Sequence, residues 1–246
     1  MPPSSTKTAT TPPVLLRIPG LATERSLVHG MSTIAFGDMR APAPGEAALT
    51  PARRAFAEAL GLEPGRLVVA GAVHDAEVAR VDEPAGVLRG FDALVTDRPR
   101  LALLATFADC YPVVLYDPAR RTLALAHAGW RGSRAGIAGR AVHALGTEYG
   151  SRPDDLIAGV GPGICGRCYE VSKEVAGQFD ATHTRPSHDG RFLLDLAAVN
   201  RDQLLAAGVR RGRVHVLGLC TRERPELPSH RRVPDGVRFA CIAAIR

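Results

Sequence analysis

Short runs of apolar and β-branched residues, separated by Pro, Gly and Asp, recur through most of the chain. Several of them are apolar at consecutive positions, which is typical of strands that are covered on both faces. The strands predicted from these runs are 14–18, 27–36, 67–74, 76–81, 92–96, 101–107, 113–116, 123–127, 156–160, 214–219 and 237–245.

Three segments have a helical pattern with recognisable ends. Thr50 is a capping residue and Pro51 follows it at the first helical position, so a helix is expected to begin there. The Ala-rich segment 133–149 predicts a second helix. Asp195 is the expected cap of a third helix, which ends at Gly208.

The order of these elements predicts one α+β domain over residues 14–246, with mixed sheets in the centre and helices outside. Residues 1–13 are expected to form a disordered tail, because Pro, Ser and Thr bury too little apolar surface to offset the ordering entropy. This tail has no apolar segment, so it is not expected to be a secretory signal. The apolar runs fall short of a membrane helix, so no membrane partner is expected.

Charge and cysteine content indicate the class of ligand and the cellular compartment. The 31 basic residues exceed the 25 acidic ones, but they are scattered and almost all are Arg, which favours small anionic substrates over nucleic acid. The five cysteines form an odd set in a chain without a secretory signal. They are therefore expected to be reduced thiols in a cytoplasmic protein.

Three predicted strands carry a metal-binding type of side chain near an end. They are VVAGAVHD with His74, LALLATFADC with Cys110 and LALAHAGWRG with His127. The 35 and 16 intervening residues are typical of a catalytic site built from separate strands, and three protein ligands leave a fourth position open. The alternative is that each histidine is a hydrogen-bonded residue of the core or of an interface, and that the cysteine packs as a small buried hydrophobic side chain.

The motifs around these residues are more specific than their spacing. The two strongest are Ala-Asp-Cys-x-Pro at Cys110 and HAGWRG at 127–132, and the supporting ones are HGMST at 29–33, GVGPGICGRCYEV at 159–171, LDLAAVNRDQLLAAGV at 194–209, Cys-Thr at 220–221 and SHRR at 229–232. Together they resemble the family once called multicopper polyphenol oxidases or laccase-domain proteins, now regarded as zinc-dependent purine nucleoside phosphorylases.

The resemblance implies a YfiH-like fold, a layered α/β/β/α sandwich, and a metal held by His74, Cys110 and His127. The expected cofactor is zinc, although copper could occupy a His/Cys site adventitiously. The implied reaction is the phosphate-dependent cleavage of adenosine, inosine, guanosine and methylthioadenosine, with adenosine deamination as a second activity. The expected partners are purine nucleosides and phosphate.

Further residues receive candidate roles. Asp109 could orient a ligand or accept a proton, or it could be a turn residue that bonds its own backbone. Arg131 could bind phosphate through its planar guanidinium, with a solvated turn as the alternative. His29 and Arg232 are candidates for substrate binding, and Arg231 could return to the site or cover the surface.

Two positions depart from the motifs of the family, and one further motif is a pair of cysteines. The chain has Ala72-Val-His-Asp where the family has Gln-Val-His-Gly, and Ile34 stands where the family has Arg. Substrate contacts near His74 and Thr33 are therefore expected to differ from those of the family. Cys165 and Cys168 have redox spacing, but a single pair outside a thioredoxin-like context is expected to be structural.

Three other functions remain open. A multicopper oxidase needs many histidines, commonly as His-x-His pairs, whereas this chain has eight histidines and no such pair. A metal-independent hydrolase would use Cys110 as nucleophile and His127 as base. A non-catalytic binding protein would explain the altered first motif.

Overall fold

Fourteen strands and six α-helices form the regular structure of residues 13–40 and 48–246, the parts of the chain that the computed structural model describes. The strands are β1 Leu27–Met31, β2 Leu67–Gly71, β3 Val78–Arg80, β4 Gly86–Arg89, β5 Ala93–Thr96, β6 Ala102–Phe107, β7 Tyr111–Asp117, β8 Thr122–Ala128, β9 Ile157–Val160, β10 Glu170–Val171, β11 Thr184–Pro186, β12 Phe192–Leu194, β13 Val214–Val216 and β14 Phe239–Ile245. The helices are α1 Pro19–Ala22, α2 Pro51–Ala59, α3 Trp130–Arg134, α4 Ile137–Tyr149, α5 Lys173–Ala176 and α6 Leu196–Ala206.

Two large mixed sheets form the centre of the protein. One has five strands in the order β1-β14-β6-β2-β4, and the other has six in the order β13-β9-β7-β8-β5-β3. A small third sheet has the order β10-β12-β11. Each large sheet contains both parallel and antiparallel neighbours, since β2 is parallel to β6 and β14 is antiparallel to it. The α+β class with mixed sheets is therefore confirmed.

The layers follow from alternation along the buried strands. In β7, Val114 and Tyr116 belong to the apolar cluster shared by the two large sheets, whereas Val113 and Leu115 belong to the cluster that includes α4 and α6. Successive side chains of a strand point to opposite faces, so a strand covered on both sides is apolar throughout. Helix α2 covers the outer face of the five-stranded sheet in the same way. The arrangement is helix, sheet, sheet, helix.

The helix ends agree with the sequence signals. The Thr50 side chain accepts a hydrogen bond from the backbone of Arg53, and the Asp195 side chain accepts one from the backbone of Ala198. These bonds satisfy backbone N–H groups that have no partner inside a helix. No described helix is both long and apolar enough to cross a membrane.

Several predicted boundaries were wrong. Segment 14–18 contributes a single bridge at Leu16, because Pro19 starts α1 directly after it. Strand 27–36 ends at Met31 and is followed by a 3-10 turn. The helix predicted over 133–149 is divided by Gly136, whose φ of 81° is left-handed and separates α3 from α4. The predicted tail lies outside the described residues, apart from Pro13.

We propose that residues 14–246 unfold as one domain, because both large sheets contribute to one shared apolar cluster. Val114→Ala should lower the free energy of unfolding by about 2 kcal/mol, since it removes two buried methyl groups and leaves a cavity. Calorimetry should show one transition, shifted as a whole. The matched control is Val233→Ala at a side chain that is 54% exposed, which should change little. Two transitions, with only one of them shifted, would contradict a single domain.

Candidate metal centre

Three side chains far apart in sequence meet at one edge of the sheets. His74 lies in the loop after β2, Cys110 lies between β6 and β7, and His127 lies inside β8. Their coordinating atoms are all within 4.8 Å of one another. The structure therefore brings together the three residues that the sequence analysis named as metal ligands.

Strand register explains the meeting. Strands β2 and β6 are parallel neighbours, so the loops that follow them leave the five-stranded sheet at the same edge. These loops carry His74 and Cys110. Strand β7 then pairs with β8 in antiparallel register, with Pro112 opposite His127. Cys110, two residues before Pro112, is thereby held beside His127.

Asp92 organises the ligands from beneath. Its side chain is fully buried and accepts hydrogen bonds from the backbone N–H groups of His74 at 2.9 Å and Asp75 at 2.8 Å. Its backbone carbonyl accepts from the N–H of His127 at 2.7 Å. These bonds hold His74 at a φ of 64°, a left-handed conformation that is costly for a residue with a side chain. The sequence analysis missed Asp92, although a carboxylate directly before the apolar strand β5 was the available signal.

The two glycines of the Gly-Trp-Arg-Gly motif leave room for the ligands. A Cβ atom at Gly129 would lie 2.9 Å from the Cys110 Sγ and 3.4 Å from the His74 Nδ1. A Cβ at Gly132 would lie 2.9 Å from the backbone oxygen of Asp75. Contacts of this length are too close for a side chain, so both positions require glycine.

The His127 imidazole is buried without a hydrogen-bond partner. Its ring stacks on Phe107 with centroids 4.8 Å apart and meets the edge of His74 at 5.1 Å. Neither ring nitrogen has a partner in the structure. Burial is the largest cause that lowers the pKa of His127 to about 3, and the charges of His74 and Arg238 contribute to the same shift. The ring is therefore neutral at pH 7 and has a free lone pair, which is the form that binds a metal.

The Cys110 thiol needs a positive charge to ionise. Burial raises its pKa to about 12, with a further contribution from the neighbouring Asp109. A metal ion supplies the charge that deprotonates a coordinating thiol. Two imidazoles and one thiol, with buried nitrogen atoms that otherwise stay unsatisfied, fit a zinc ion with one open position, and they also suit copper.

Asp109 is held on the cavity side of Cys110. Its carboxylate accepts hydrogen bonds from the Thr221 hydroxyl at 2.6 Å and from the Arg231 backbone N–H at 2.7 Å. Its φ is 83°, so the turn that places it is also left-handed. The partners come from the C-terminal part of the chain, and the simple turn in which Asp109 bonds only its own backbone is not what the structure shows.

A cavity of about 650 Å³ opens over the three ligands. This volume is in the range of small-molecule sites. Arg131 lines it, and its guanidinium lies over the Trp130 ring, 4.4 Å from the centroid. Other polar groups of the wall include Arg89, Arg231, Arg238 and Tyr169, and of these the sequence analysis had considered only Arg231. The wall is positively charged, which suits an anionic ligand.

Two residues expected at the substrate lie elsewhere. His29 is buried in β1, where its Nε2 accepts a hydrogen bond from the Ile18 backbone N–H, and burial lowers its pKa to about 4, helped by Arg17. The Arg232 guanidinium donates to four backbone oxygens. Neither residue lines the cavity. Both stabilise the surrounding backbone instead.

Known proteins resemble this chain over most of its length. The family described as multi-copper polyphenol oxidoreductase laccase matches residues 43–245. A purine nucleoside phosphorylase of Deinococcus radiodurans is 38% identical over 228 residues, which span 89% of this chain and 87% of that protein. The adenosine deaminase RL5 from an unknown prokaryotic organism is 34% identical over 187 residues, spanning 70% of this chain and 71% of that protein.

A solved structure extends the match to the fold. The crystal structure of YlmD from Geobacillus stearothermophilus has a TM-score of 0.84 and 29% identity, and the alignment covers 96% of this chain and 98% of that one. The YfiH-like fold expected from the sequence motifs is confirmed by this likeness and by a TM-score of 0.79 to YfiH of Bacillus licheniformis. The chain therefore belongs to the laccase-like family described as multi-copper polyphenol oxidoreductase laccase.

Proposed function

We propose that the protein is a zinc-dependent purine nucleoside phosphorylase that also deaminates adenosine. The observation that carries the proposal is the convergence of two imidazoles and one thiol at the base of a cavity with arginine in its wall. The substrate class comes from relatives, since one is named purine nucleoside phosphorylase and another adenosine deaminase. Inosine, guanosine and methylthioadenosine are further substrates in the proposal.

The proposed ligands are His74, Cys110 and His127, which leave a zinc ion one open coordination position. When bound, zinc supplies a positive charge next to the reacting groups. The polyphenol oxidase alternative is less favoured, because the two groups of potential metal ligands in the described residues contain only two histidines between them. Copper could still bind at the His/Cys centre adventitiously.

In phosphorolysis, phosphate attacks the sugar carbon while the bond from that carbon to the purine nitrogen breaks. Arg131 is the proposed phosphate ligand, because it lines the cavity and a guanidinium can form two parallel hydrogen bonds to phosphate oxygens. Its cation–π contact with Trp130 restricts the side chain before substrate arrives. Its contribution is mainly positioning.

In deamination, water attacks the purine carbon that bears the amino group, and ammonia leaves. Asp109 is the proposed proton acceptor for that water. The Thr221 hydroxyl and the Arg231 backbone hold the carboxylate at the cavity wall beside Cys110. The two reactions would therefore share the centre and differ in whether phosphate or water is the nucleophile.

The thiol hydrolase alternative is opposed by the electrostatics of the pair. A cysteine nucleophile requires a thiolate stabilised by a protonated histidine. Burial raises the pKa of Cys110 to about 12 and lowers that of His127 to about 3, so both groups are neutral. The proposal keeps the cytoplasmic location, since a reducing compartment preserves a thiol ligand.

The first prediction concerns the metal. His127→Ala should lower the zinc content by one ion per chain, because it removes one of three protein ligands. Elemental analysis of purified protein measures this loss. His143→Ala, on the exposed side of α4, should retain the wild-type content. Unchanged zinc in the His127 variant would refute the assignment of the centre.

The second prediction separates the two activities. Arg131→Ala should lower phosphorolysis roughly tenfold to hundredfold, because a charge-assisted contact contributes about 1.5–3 kcal/mol. Deamination and zinc content should change much less, since neither needs phosphate. The control is Arg134→Ala on the same helix, where the side chain bonds Gln178. Assays with adenosine, with and without phosphate, measure both rates, and an equal loss of both would remove Arg131 from the phosphate site.

The third prediction tests Asp92 as a positioning residue. Asp92→Asn should weaken zinc binding roughly tenfold to hundredfold. In this variant an amide NH2 group replaces one carboxylate oxygen, so it cannot accept the hydrogen bond from the backbone N–H of His74 or Asp75. Competition with a chelator measures the affinity. Asp117→Asn is the matched control, because Asp117 is another buried carboxylate that accepts backbone N–H groups, away from the centre. If both variants lose zinc equally, the effect is one of general stability.

A further inference from the structure

A second group of thiols lies outside the cavity over the first centre. Cys165 and Cys168 belong to the loop between β9 and β10, and Cys220 follows β13. The carboxylate of Glu223 lies with them, and the four ligand atoms are all within 4.8 Å of one another. The sequence analysis considered Cys165 and Cys168 as an isolated pair and did not connect them with Cys220, which is separated from Cys168 by 51 residues.

The distances match the edges of a tetrahedral site. The Glu223 Oε1 lies 3.7 Å from the Cys165 Sγ and 3.5 Å from the Cys168 Sγ. A metal at the usual zinc–sulfur and zinc–oxygen bond lengths would separate such ligands by about 3.5 Å. These two sulfur–oxygen distances are therefore close to those of ligands that share one ion, and the other pairs lie within 4.8 Å.

The surrounding groups also suit a metal. The backbone N–H of Cys165 points at the Cys220 Sγ, 3.3 Å away, and the Arg167 guanidinium binds both carboxylate oxygens of Glu223 at 3.1 and 3.2 Å. Donors of this kind orient coordinating thiolates and carboxylates. Cys220 is buried and Glu223 is exposed, so the site would lie just below the surface.

A backbone bridge holds together the two segments that carry the thiols. Gly163 forms a parallel bridge with Cys220. The Gly163 N–H donates to the Leu219 oxygen at 3.2 Å, and its oxygen accepts from the Thr221 N–H at 3.0 Å. This bridge aligns the Cys-x-x-Cys loop with the third thiol, so the convergence does not depend on flexible side chains alone.

We propose that Cys165, Cys168, Cys220 and Glu223 bind a second metal ion, a zinc-type divalent cation, in a closed structural site. Three sulfurs and one oxygen complete a tetrahedron, so no position is left for a substrate. This distinguishes the second site from the first, which has three ligands and faces the cavity. The proposal concerns metal content and does not depend on the nucleoside activity.

A bound ion would stabilise the wall of the catalytic cavity. Thr221, next to Cys220, donates its hydroxyl hydrogen bond to Asp109, and the Ile164 backbone N–H donates to the Asp109 carbonyl at 2.9 Å. Both segments that carry the thiols are therefore bonded to the residue before Cys110. The second ion would hold Asp109 in place from outside the cavity.

Metal content of the full chain, purified under reducing conditions, tests the proposal. The His127→Ala variant, which lacks a ligand of the first centre, should retain one zinc ion per chain. Adding Cys168→Ser to it should remove that ion, whereas adding Cys241→Ala should not, because Cys241 is a buried thiol of β14 outside both groups. Retention of zinc by the Cys168 double variant would overturn the proposal.

Two measurements guard against a variant that simply fails to fold. Glu223 is exposed, so Glu223→Gln and Glu223→Cys should both keep the wild-type circular dichroism. The Gln variant should lose zinc to a chelator roughly tenfold to hundredfold more readily, and the Cys variant should hold it at least as well as wild type, since a thiolate replaces the carboxylate. Equal chelator sensitivity of the Gln variant and wild type would refute Glu223 as a ligand.

Discussion

The candidate metal centre depends on one buried carboxylate. The Asp92 carboxylate accepts hydrogen bonds from the backbone N–H groups of His74 and Asp75. Its carbonyl oxygen accepts one from the backbone N–H of His127. Because Asp92 directly precedes β5, the positions of two candidate ligands are tied to the six-stranded sheet. Without these bonds, the left-handed His74 would have no compensation for its backbone strain.

Without a cation, the burial of the polar groups of this centre costs free energy. Both His127 ring nitrogens lack partners, and an unsatisfied buried polar group costs about 1–3 kcal/mol. The same burial keeps the Cys110 thiol protonated and the imidazole neutral. A metal would use the free lone pairs and replace the proton on sulfur, so its binding free energy would add to the stability of the fold. The features that disfavour a thiol nucleophile are thus the ones that favour a metal ligand.

Asp109 connects this centre with the thiol group on the other side of the cavity wall. It precedes Cys110, and its carboxylate is held by Thr221 and by the backbone of Arg231. Thr221 in turn follows Cys220. A chain of short contacts therefore joins the cavity over the candidate centre to the proposed second metal site. Arg232 contributes to the same wall by bonding backbone oxygens between Thr221 and Leu227.

Local features could be predicted from the sequence alone: buried strands as apolar runs, the caps of α2 and α6, and the residues of the first candidate metal centre through their motifs. These signals act over a few residues or depend on residue identity, so they can be read without coordinates. Which distant groups meet could not be predicted in this way, because it depends on the three-dimensional fold. Strand register placed Asp92 under His74, Cys220 beside Cys165, and Gly129 against Cys110. The same is true of His29 and Arg232, which lie away from the cavity because they bond the backbone of Ile18 and of the loop from Thr221 to Leu227.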